Sequence, residues 1–266
     1  MNAQRAWKDY LIPGTDVLRN KVGLTTHADL TAFEEAATRA RLLELKRDPI
    51  QGQFDYAHMK AIHRYIFQDV YEWAGQERTA PTTPMSKWGP DVVAHPVPQW
   101  DTPWVEYSYF PAGERLTRAA EAEYSAIREQ NYLKGLPRAE FTTRLATSWA
   151  LINVIHSFRE GNTRSQFVFF SQLSEQAGYR LDVARFGYGA PLREEFVNAR
   201  YYAQKTGQVD RLVRALGQAI EPIRMQHKEA APIDEIRRRA ADVLKQRESK
   251  ASREPVREHQ AYGHER

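Results

Sequence analysis

The mid-chain sequence His156-Ser157-Phe158-Arg159-Glu160-Gly161-Asn162-Thr163-Arg164, called the motif loop below, places a base, a carboxylate, a glycine–asparagine turn and a cation together. Before it, apolar residues recur every three or four positions from Phe141, which predicts a helix ending near His156. After it, Asn162 is a suitable N-cap, and a second apolar stripe runs to Gly178, a stop signal. The motif loop therefore joins two predicted helices.

The start of the second helix is a predicted anion site. The first backbone N–H groups of a helix have no internal acceptor and carry the positive end of its dipole, so those of Thr163, Arg164 and Ser165 can bind phosphate. Arg164 opposes the dipole at a cost of about 0.3 to 1 kcal/mol, which a bound anion would offset. The alternative is an exposed, solvated arginine.

Glu160 and His156 add a metal ligand and a base. A carboxylate beside phosphate repels it unless a divalent cation lies between them, so Glu160 predicts Mg²⁺ that takes its other ligands from water and phosphate. His156 is placed to accept a proton from an attacking hydroxyl group as a general base. Each residue alone also fits a structural or surface role, but together these offsets arise by chance with a probability on the order of 10^-5 or less.

The motif loop resembles the signature of the Fic (Fic/Doc) family, H-x-F-x-D/E-G-N-G/K-R-x-x-R, most of whose members attach AMP to protein hydroxyl groups. The resemblance implies a protein adenylyltransferase that uses Mg²⁺ and ATP and modifies a Ser, Thr or Tyr hydroxyl of a target protein. It implies that Phe158 is an apolar anchor. The implied roles are base for His156, Mg²⁺ ligand for Glu160, and triphosphate binding for Gly161, Asn162, Thr163 and Arg164.

Two positions depart from the signature. Thr163 stands where Gly or Lys is commonest, and Phe167 replaces the second arginine, which contacts the terminal phosphate in the family. Phenylalanine cannot donate the paired hydrogen bonds of arginine, so the orientation of that phosphate stays open. The alternatives are a catalytically weak Fic-fold binding module, or a Fic enzyme with another nucleotide or phosphate donor.

Residues 67–79 are similar to the family segment that leads into a β-hairpin called the flap. In the family the flap pairs with an extended piece of the target through main-chain hydrogen bonds. The flap is expected at about residues 78–92, and Met85-Ser86-Lys87 fits its tip. These three residues are therefore predicted to dock the target.

Two prolines, Pro81 and Pro84, remove backbone donors from this segment, which predicts an irregular hairpin. An extended loop then continues to about residue 111. Residues 88–111 are rich in proline and aromatic residues. They are expected to form a lid or target-contact surface, or alternatively an ordered loop held by its tryptophans.

Some family members carry their own inhibitory helix, in which a glutamate pairs with the second arginine. The nearest match here, Thr31-Ala-Phe-Glu34-Glu35-Ala36, lacks the final Gly or Asn, and Phe167 removes the usual partner of the glutamate. If the activity is inhibited, the resemblance implies a separate small antitoxin, with this chain as the toxin.

The resemblance also makes Asn198 a candidate for a contact with the nucleotide base.

Composition agrees with a single mainly α-helical domain. Of the 266 residues, 42% are hydrophobic, which suffices for one substantial core, and strand signals are sparse. The resemblance implies that residues 1–224 form a Fic-type helical bundle, which includes a small β-hairpin flap. Residues 225–266 predict a charged helix followed by a disordered tail.

The chain contains no cysteine, which excludes disulfide and thiolate–metal scaffolds. Its start shows no signal peptide, and no segment is long enough to span a membrane. These features predict a cytoplasmic protein, or an effector secreted without a signal peptide. The net charge of +4, with acids and bases interspersed, does not favour DNA, and no direct nucleic-acid partner is expected.

Overall fold

The computed structural model describes residues 7–223, and this part of the chain is mainly α-helical, as predicted. The helices are α1 (His27–Arg47), α2 (Tyr56–Phe67), α3 (Glu114–Glu129), α4 (Arg138–Ile155), α5 (Asn162–Gln176), α6 (Arg193–Thr206) and α7 (Asp210–Gly217). The strands are β1 (Met85–Pro90), β2 (Trp104–Tyr109), β3 (Tyr179–Leu181) and β4 (Ile220–Pro222). Among the helices of residues 7–223, none is both long and apolar enough to cross a membrane. The predicted helix and tail at residues 225–266 lie outside the described residues.

Helix α4 is buried on several sides because its apolar residues are not confined to one stripe. Phe141, Leu145 and Trp149 are all buried, and the helix packs against α3, α5, α6 and α7. The Trp149 ring stacks on Phe170 of α5 with 4.3 Å between centroids, and its indole N–H donates to Gln166 Oε1 at 3.0 Å. Burying one such side chain contributes about 1.5 to 3 kcal/mol. This packing holds α4 against α5, and with them the motif loop that joins them.

Helix α2 lies beneath the motif loop. It packs against α1 on one side and α5 on another. Two of its buried aromatic residues, His63 and Phe67, stack on each other with 4.7 Å between ring centroids. They form the floor on which the motif loop rests.

Strands β1 and β2 form a regular antiparallel hairpin. Its pairs are Met85 with Tyr109, Ser86 with Ser108, Lys87 with Tyr107, Trp88 with Glu106, Gly89 with Val105 and Pro90 with Trp104. The predicted flap of residues 78–92 is therefore wrong in extent, because the second strand comes only after a loop of residues 91–103. The predicted irregularity is also wrong, because Pro81 and Pro84 precede β1 and interrupt no pair.

The two faces of the hairpin differ in burial. Met85, Tyr107 and Tyr109 are buried, whereas Trp88 and Trp104 are 62% and 63% exposed. This alternation follows from the two-residue period of a strand, which turns neighbouring side chains to opposite faces. The tryptophans thus do not hold the loop in place, so that alternative for residues 88–111 is wrong.

Candidate active site

The candidate base, His156, ends helix α4. Its backbone is in the left-handed conformation, with φ of 52°, which is uncommon for a residue other than glycine and persists only where surrounding contacts impose it. Its N–H still donates to the carbonyl of Ile152 at 3.2 Å. The chain therefore leaves the helix directly after His156, and the side chain is buried.

Arg78 holds this reversal, and the sequence did not indicate that role. Its Nε donates to the carbonyl oxygen of His156 at 2.8 Å, and its Nη2 donates to that of Phe110. The backbone N–H of Arg78 donates to the carbonyl of Ser157 at 2.9 Å. Burial lowers the pKa of Arg78 to about 10. One buried guanidinium thus joins the end of α4 to the end of the hairpin.

The imidazole of His156 has a defined tautomer. Its Nδ1 lies 3.2 Å from the carbonyl oxygen of Asn153, and its Nε2 lies 3.0 Å from Nζ of Lys87. A carbonyl oxygen can only accept, so the hydrogen-bond pattern assigns the proton to Nδ1 and leaves the lone pair on Nε2. That lone pair accepts from the Lys87 ammonium group. This is the tautomer that a general base needs.

The surroundings keep His156 neutral. Burial, and next the charge of Lys87, hold the pKa of His156 well below its ordinary value of 6.5. Burial likewise lowers the pKa of Lys87. Because the neutral imidazole accepts the proton, His156 stays competent as a base at neutral and mildly acidic pH.

Asn162 and Gly161 fix the shape of the motif loop. The Asn162 side chain accepts the N–H of Phe158 at 2.9 Å and donates to its carbonyl at 2.7 Å. Gly161 has φ of 79°, and a Cβ atom there would lie 2.1 Å from the ring of Phe67. Glycine is therefore required twice over, by conformation and by space. Phe158 is buried, as expected of an apolar anchor.

His63 supports the loop from below. Its Nδ1 accepts the N–H of Gly75 at 2.8 Å, so its Nε2 carries the proton and donates to the carbonyl of Glu160 at 3.0 Å. The ring stacks on Phe158 with 3.8 Å between centroids. Burial lowers the pKa of His63 to about 3, which keeps the ring neutral. His63 is thus a packing residue that positions the backbone of Glu160.

The first free donors of α5 are the backbone N–H groups of Asn162, Thr163 and Arg164, which have no acceptor within residues 7–223. The predicted set was one residue later, because Asn162 was expected to be the N-cap. Gly161 is the N-cap instead, and its carbonyl already accepts the N–H of Ser165 at 3.1 Å. Three unpaired N–H groups at the positive end of a helix form a cradle for an anion.

This amide cradle opens into a cavity of about 80 Å³ bounded by Lys87, His156 and residues 159–164. The cavity is small compared with the roughly 300 to 1,000 Å³ of most ligand sites. It therefore suits the reacting end of a ligand, with the remainder over open surface. Lysine and arginine outnumber carboxylates in its lining, which favours a polyanion.

Glu160 is the carboxylate of this cavity, and its side chain is half-exposed. Its Oε1 accepts the N–H of Gly161 at 2.9 Å, while its Oε2 makes no hydrogen bond within residues 7–223. Across the same residues, no cluster of three or more His, Asp or Glu side chains could hold a metal ion. A single carboxylate fits Mg²⁺, which takes most of its ligands from phosphates and water.

Arg164 lines the cavity but is not a free cation. Its Nη2 pairs with Oε1 of Glu34 at 2.5 Å, and its Nη1 donates to Thr38 at 3.2 Å. Its guanidinium lies over the Phe67 ring, 4.6 Å from the centroid. Glu34 thus offsets the charge that was expected to require a bound anion. Phe167 leaves no second arginine for an inhibitory glutamate, and α1 brings Glu34 to the first signature arginine, Arg164.

The remaining predicted residues divide between the cavity and other surfaces. Lys87 lines the cavity, whereas Met85 is buried under the hairpin and Ser86 is exposed. All three lie within strand β1, so their expected place at the flap tip is wrong. Asn198 is half-buried on α6 and does not line the cavity. Its contact with a base stays a prediction.

Comparison with known proteins points to one family. The model of the Fic/DOC family matches residues 53–174. Probable protein adenylyltransferase Fic of Escherichia coli (strain K12) is 34% identical over 174 residues, which are 65% of this chain and 74% of that protein. Probable protein adenylyltransferase y4lH of Sinorhizobium fredii (strain NBRC 101917 / NGR234) is 35% identical over 175 residues, 65% of this chain and 78% of that protein.

Solved structures show the same fold. BepC, a VirB-translocated effector protein of Bartonella tribocorum solved with bound AMPPNP, superposes with a TM-score of 0.65. The match covers 81% of this chain and 97% of BepC at 22% identity, so it concerns the fold alone. Sequence, family model and fold all agree: the chain belongs to the Fic/DOC family.

Proposed function

We propose that this chain is a protein adenylyltransferase that transfers AMP from ATP, with Mg²⁺, to a Ser, Thr or Tyr hydroxyl group of a target protein. The observation that carries the proposal is that the basic Nε2 of His156 and the amide cradle of α5 bound one cavity. The names of the Escherichia coli and Sinorhizobium fredii relatives support it, as does the AMPPNP bound to BepC.

The transfer follows from the positions of these groups. The hydroxyl oxygen of the target attacks the α-phosphorus of ATP, and its proton passes to Nε2 of His156. The bond between the α-phosphorus and the bridging oxygen breaks, and pyrophosphate leaves. The N–H groups of Asn162, Thr163 and Arg164 stabilise charge on the phosphate oxygens in the transition state, because they are preorganised by the helix.

Glu160 is the residue that would hold Mg²⁺, through its half-exposed carboxylate. When bound, the ion neutralises charge on the phosphates. His63 fixes the backbone carbonyl of Glu160, and the N–H of Gly161 donates to its Oε1. Both ends of the residue are therefore held before the ion binds.

The position of Lys87 is expected to differ between the free protein and the protein with its target bound. Its ammonium group occupies the Nε2 lone pair of His156, so the base is available only after Lys87 moves aside. Lys87 belongs to β1, the strand of the expected docking flap. A target that pairs with the hairpin and displaces Lys87 would release His156 at the moment its own hydroxyl arrives.

The proposed partners are the target protein and, as the inhibitor of a toxin–antitoxin pair, a separate small antitoxin. A co-expression experiment tests the second partner. If the active chain slows bacterial growth and its His156→Ala variant does not, a small protein that restores growth and co-purifies with the chain is the antitoxin. Growth that is unaffected by the active chain would contradict the toxin role.

A transfer assay tests the main proposal. The chain is incubated with lysate, Mg²⁺ and ATP labelled on the α-phosphate, and modified proteins are analysed by mass spectrometry. The expected result is a covalent adduct with the mass of AMP less water, absent when Mg²⁺ is chelated. Parallel reactions with labelled UTP, CTP and GTP identify the donor. A chain that binds no nucleotide at millimolar concentration by calorimetry would instead be a binding module.

A further inference from the structure

The signature position of the second arginine is filled by a partly buried aromatic residue that packs against the core. Phe167 stacks on Phe196 with 5.4 Å between ring centroids, and on Phe186 with 5.8 Å. It also meets the edge of Trp149 at 5.5 Å. This side chain is part of the packing between α4, α5 and α6, and it offers no hydrogen bond. A phosphate held at this end of the site needs a cation from elsewhere.

Arg200 brings a cation to this place from α6. It lies one turn after Phe196, and its guanidinium sits over that ring, 4.7 Å from the centroid. Its Nη1 donates to Oγ1 of Thr163 at 3.1 Å and to Oδ1 of Asn153 at 3.2 Å. Thr163 carries one of the three free N–H groups of the amide cradle. The arginine therefore stands directly behind that cradle, on the aromatic layer that includes Phe167.

The charge of Arg200 is not balanced within the described residues. Between residues 7 and 223 it pairs with no carboxylate, and its buried Nε atom has no hydrogen-bond partner. Burial lowers its pKa to about 10, so it is still a cation at neutral pH. A desolvated cation without a counter-ion is costly. Arg164, by contrast, already has Glu34. The structure thus contains a positive charge that lacks its anion, beside a site built for one.

We propose that Arg200 is the second phosphate-binding arginine of this site and contacts the β- or γ-phosphate of the bound nucleotide in place of the missing signature arginine. This inference rests on the proposed function, since it names a further residue for the same ligand. It goes beyond the signature, because Arg200 lies in a different helix.

Both departures from the signature, Phe167 and Thr163, are then explained by the role of Arg200. Phenylalanine at position 167 removes a cation and provides part of the aromatic layer on which Arg200 stacks. Threonine at position 163 provides the hydroxyl that accepts from Arg200 Nη1, which glycine could not do. A hydrogen bond and a stacked ring together restrict the guanidinium, so less entropy is lost when it binds phosphate.

Calorimetry on the full chain with ATP, AMP and tripolyphosphate, each with Mg²⁺, tests this proposal. Arg200→Met should weaken ATP and tripolyphosphate binding by about tenfold to a hundredfold, the range for a lost charge-assisted hydrogen bond. AMP affinity should change by less than about twofold, because AMP has no β- or γ-phosphate. Arg200→Lys keeps the charge without the planar fork of donors, so its ATP affinity should lie between that of the wild type and that of Arg200→Met.

A matched control is Arg211→Met. Arg211 is also a half-buried arginine stacked on an aromatic ring, 3.7 Å from the centroid of Tyr202, and it donates to the carbonyl of Val92. It makes no hydrogen bond to the motif loop, whereas Arg200 bonds Thr163, so this variant should bind ATP like the wild type. Thermal melting of all three variants checks the fold, and Arg200→Lys serves where Arg200→Met is unstable.

The outcomes separate this inference from the proposed function. Wild-type protein that binds ATP, with folded Arg200 variants that bind it equally well, overturns the role of Arg200 alone. An equal loss for ATP and AMP also overturns it, since the effect is then not on the outer phosphates. Wild-type binding of tripolyphosphate but not ATP contradicts the nucleotide donor and retains Arg200 as a polyphosphate ligand. Binding of neither contradicts both.

Discussion

The motif loop and the β1–β2 hairpin meet at His156 and Lys87, yet they are held in opposite ways. In the loop the backbone is held by buried side chains: Arg78 holds His156, Asn162 holds Phe158, and His63 holds Glu160. The hairpin has a buried inner face, but its outer face and its connecting loop carry exposed tryptophans. One region is fixed from all sides, and the other is fixed from one side only.

This difference separates chemistry from recognition. Catalytic groups need positions accurate to a fraction of an ångström, which buried hydrogen bonds and packing provide. A surface that accepts a partner must stay exposed until the partner arrives, and exposed aromatic residues are common in such surfaces. We expect changes in the loop to abolish transfer for every target, and changes on the outer face of the hairpin to alter which target is modified.

The largest effect is expected for His156→Ala. Loss of the general base should reduce AMP transfer by about 10^2- to 10^4-fold, while Mg²⁺–ATP affinity stays near that of the wild type. The measurement is labelled transfer alongside calorimetry. His95→Ala, in the exposed loop between β1 and β2, is the control and should retain transfer. Undiminished transfer by folded His156→Ala would exclude the assigned base.

Gly161→Ala should break the loop itself. The new Cβ would meet the Phe67 ring and would also require a left-handed backbone. Gly178→Ala would be strained only by the left-handed backbone, since φ is 90° but no atom lies within 4 Å of its Cβ position. Chemical unfolding should therefore show Gly161→Ala less stable than Gly178→Ala by about 1 to 3 kcal/mol, the usual cost of overpacking.

Activity separates the same two glycine variants. Gly161→Ala should lose nucleotide binding, because displacement of Gly161 moves the amide cradle. Gly178→Ala, at the far end of α5, should keep it. Equal stability and equal binding in the two variants would mean that the close approach of Gly161 to Phe67 is unimportant.

Lys87→Met tests the contact between the two regions through pH. The transfer rate should fall at acidic pH as His156 is protonated. The Lys87 charge lowers the pKa of His156, so its removal raises that pKa and shifts the acidic limb of the profile to higher pH. Lys87→Arg keeps the charge and should shift the limb less. Arg78 and Arg200 lower the same pKa and remain in both variants. An unshifted limb would show that Lys87 does not act on the base.

The smallest effect on the molecule itself is expected for Trp100→Ala. Trp100 is 95% exposed in the loop of residues 91–103, so its removal should change neither the melting temperature nor ATP binding. If this surface contacts the target, labelling of lysate proteins should change. Tyr188→Ala, 97% exposed on a different loop, is the control. A labelling pattern that changes equally in both variants, or in neither, would argue against target contact by Trp100.

The sequence near the motif loop predicted the two helices that flank the loop and the residues that it brings together. The apolar period before His156 and the stop at Gly178 gave α4 and α5, and the signature placed His156, Glu160 and the free N–H groups at one loop. The predicted set of free N–H groups was one residue too late because the Asn162 side chain hydrogen-bonds Phe158 and does not cap the helix. A capping rule cannot anticipate that choice.

The partners of the loop could not be predicted in this way. Glu34 reaches Arg164 across 130 positions, Lys87 reaches His156 across 69, and Arg200 reaches Thr163 across 37. Such pairs depend on how whole helices and strands pack, and no periodicity marks them. The hairpin was misplaced for the same reason, because a loop of residues 91–103 separates strands that are paired only in space.

The central claim is that the N–H groups of Asn162, Thr163 and Arg164 bind the phosphates beside His156. Titration of ¹⁵N-labelled protein with Mg²⁺ and a non-hydrolysable ATP analogue, followed by amide NMR, tests it most directly. These three amide signals should shift most, with a smaller response from Gly178 at the other end of α5. If the largest shifts fall outside the motif loop and those three amides do not respond, phosphate binding at the start of α5 is excluded.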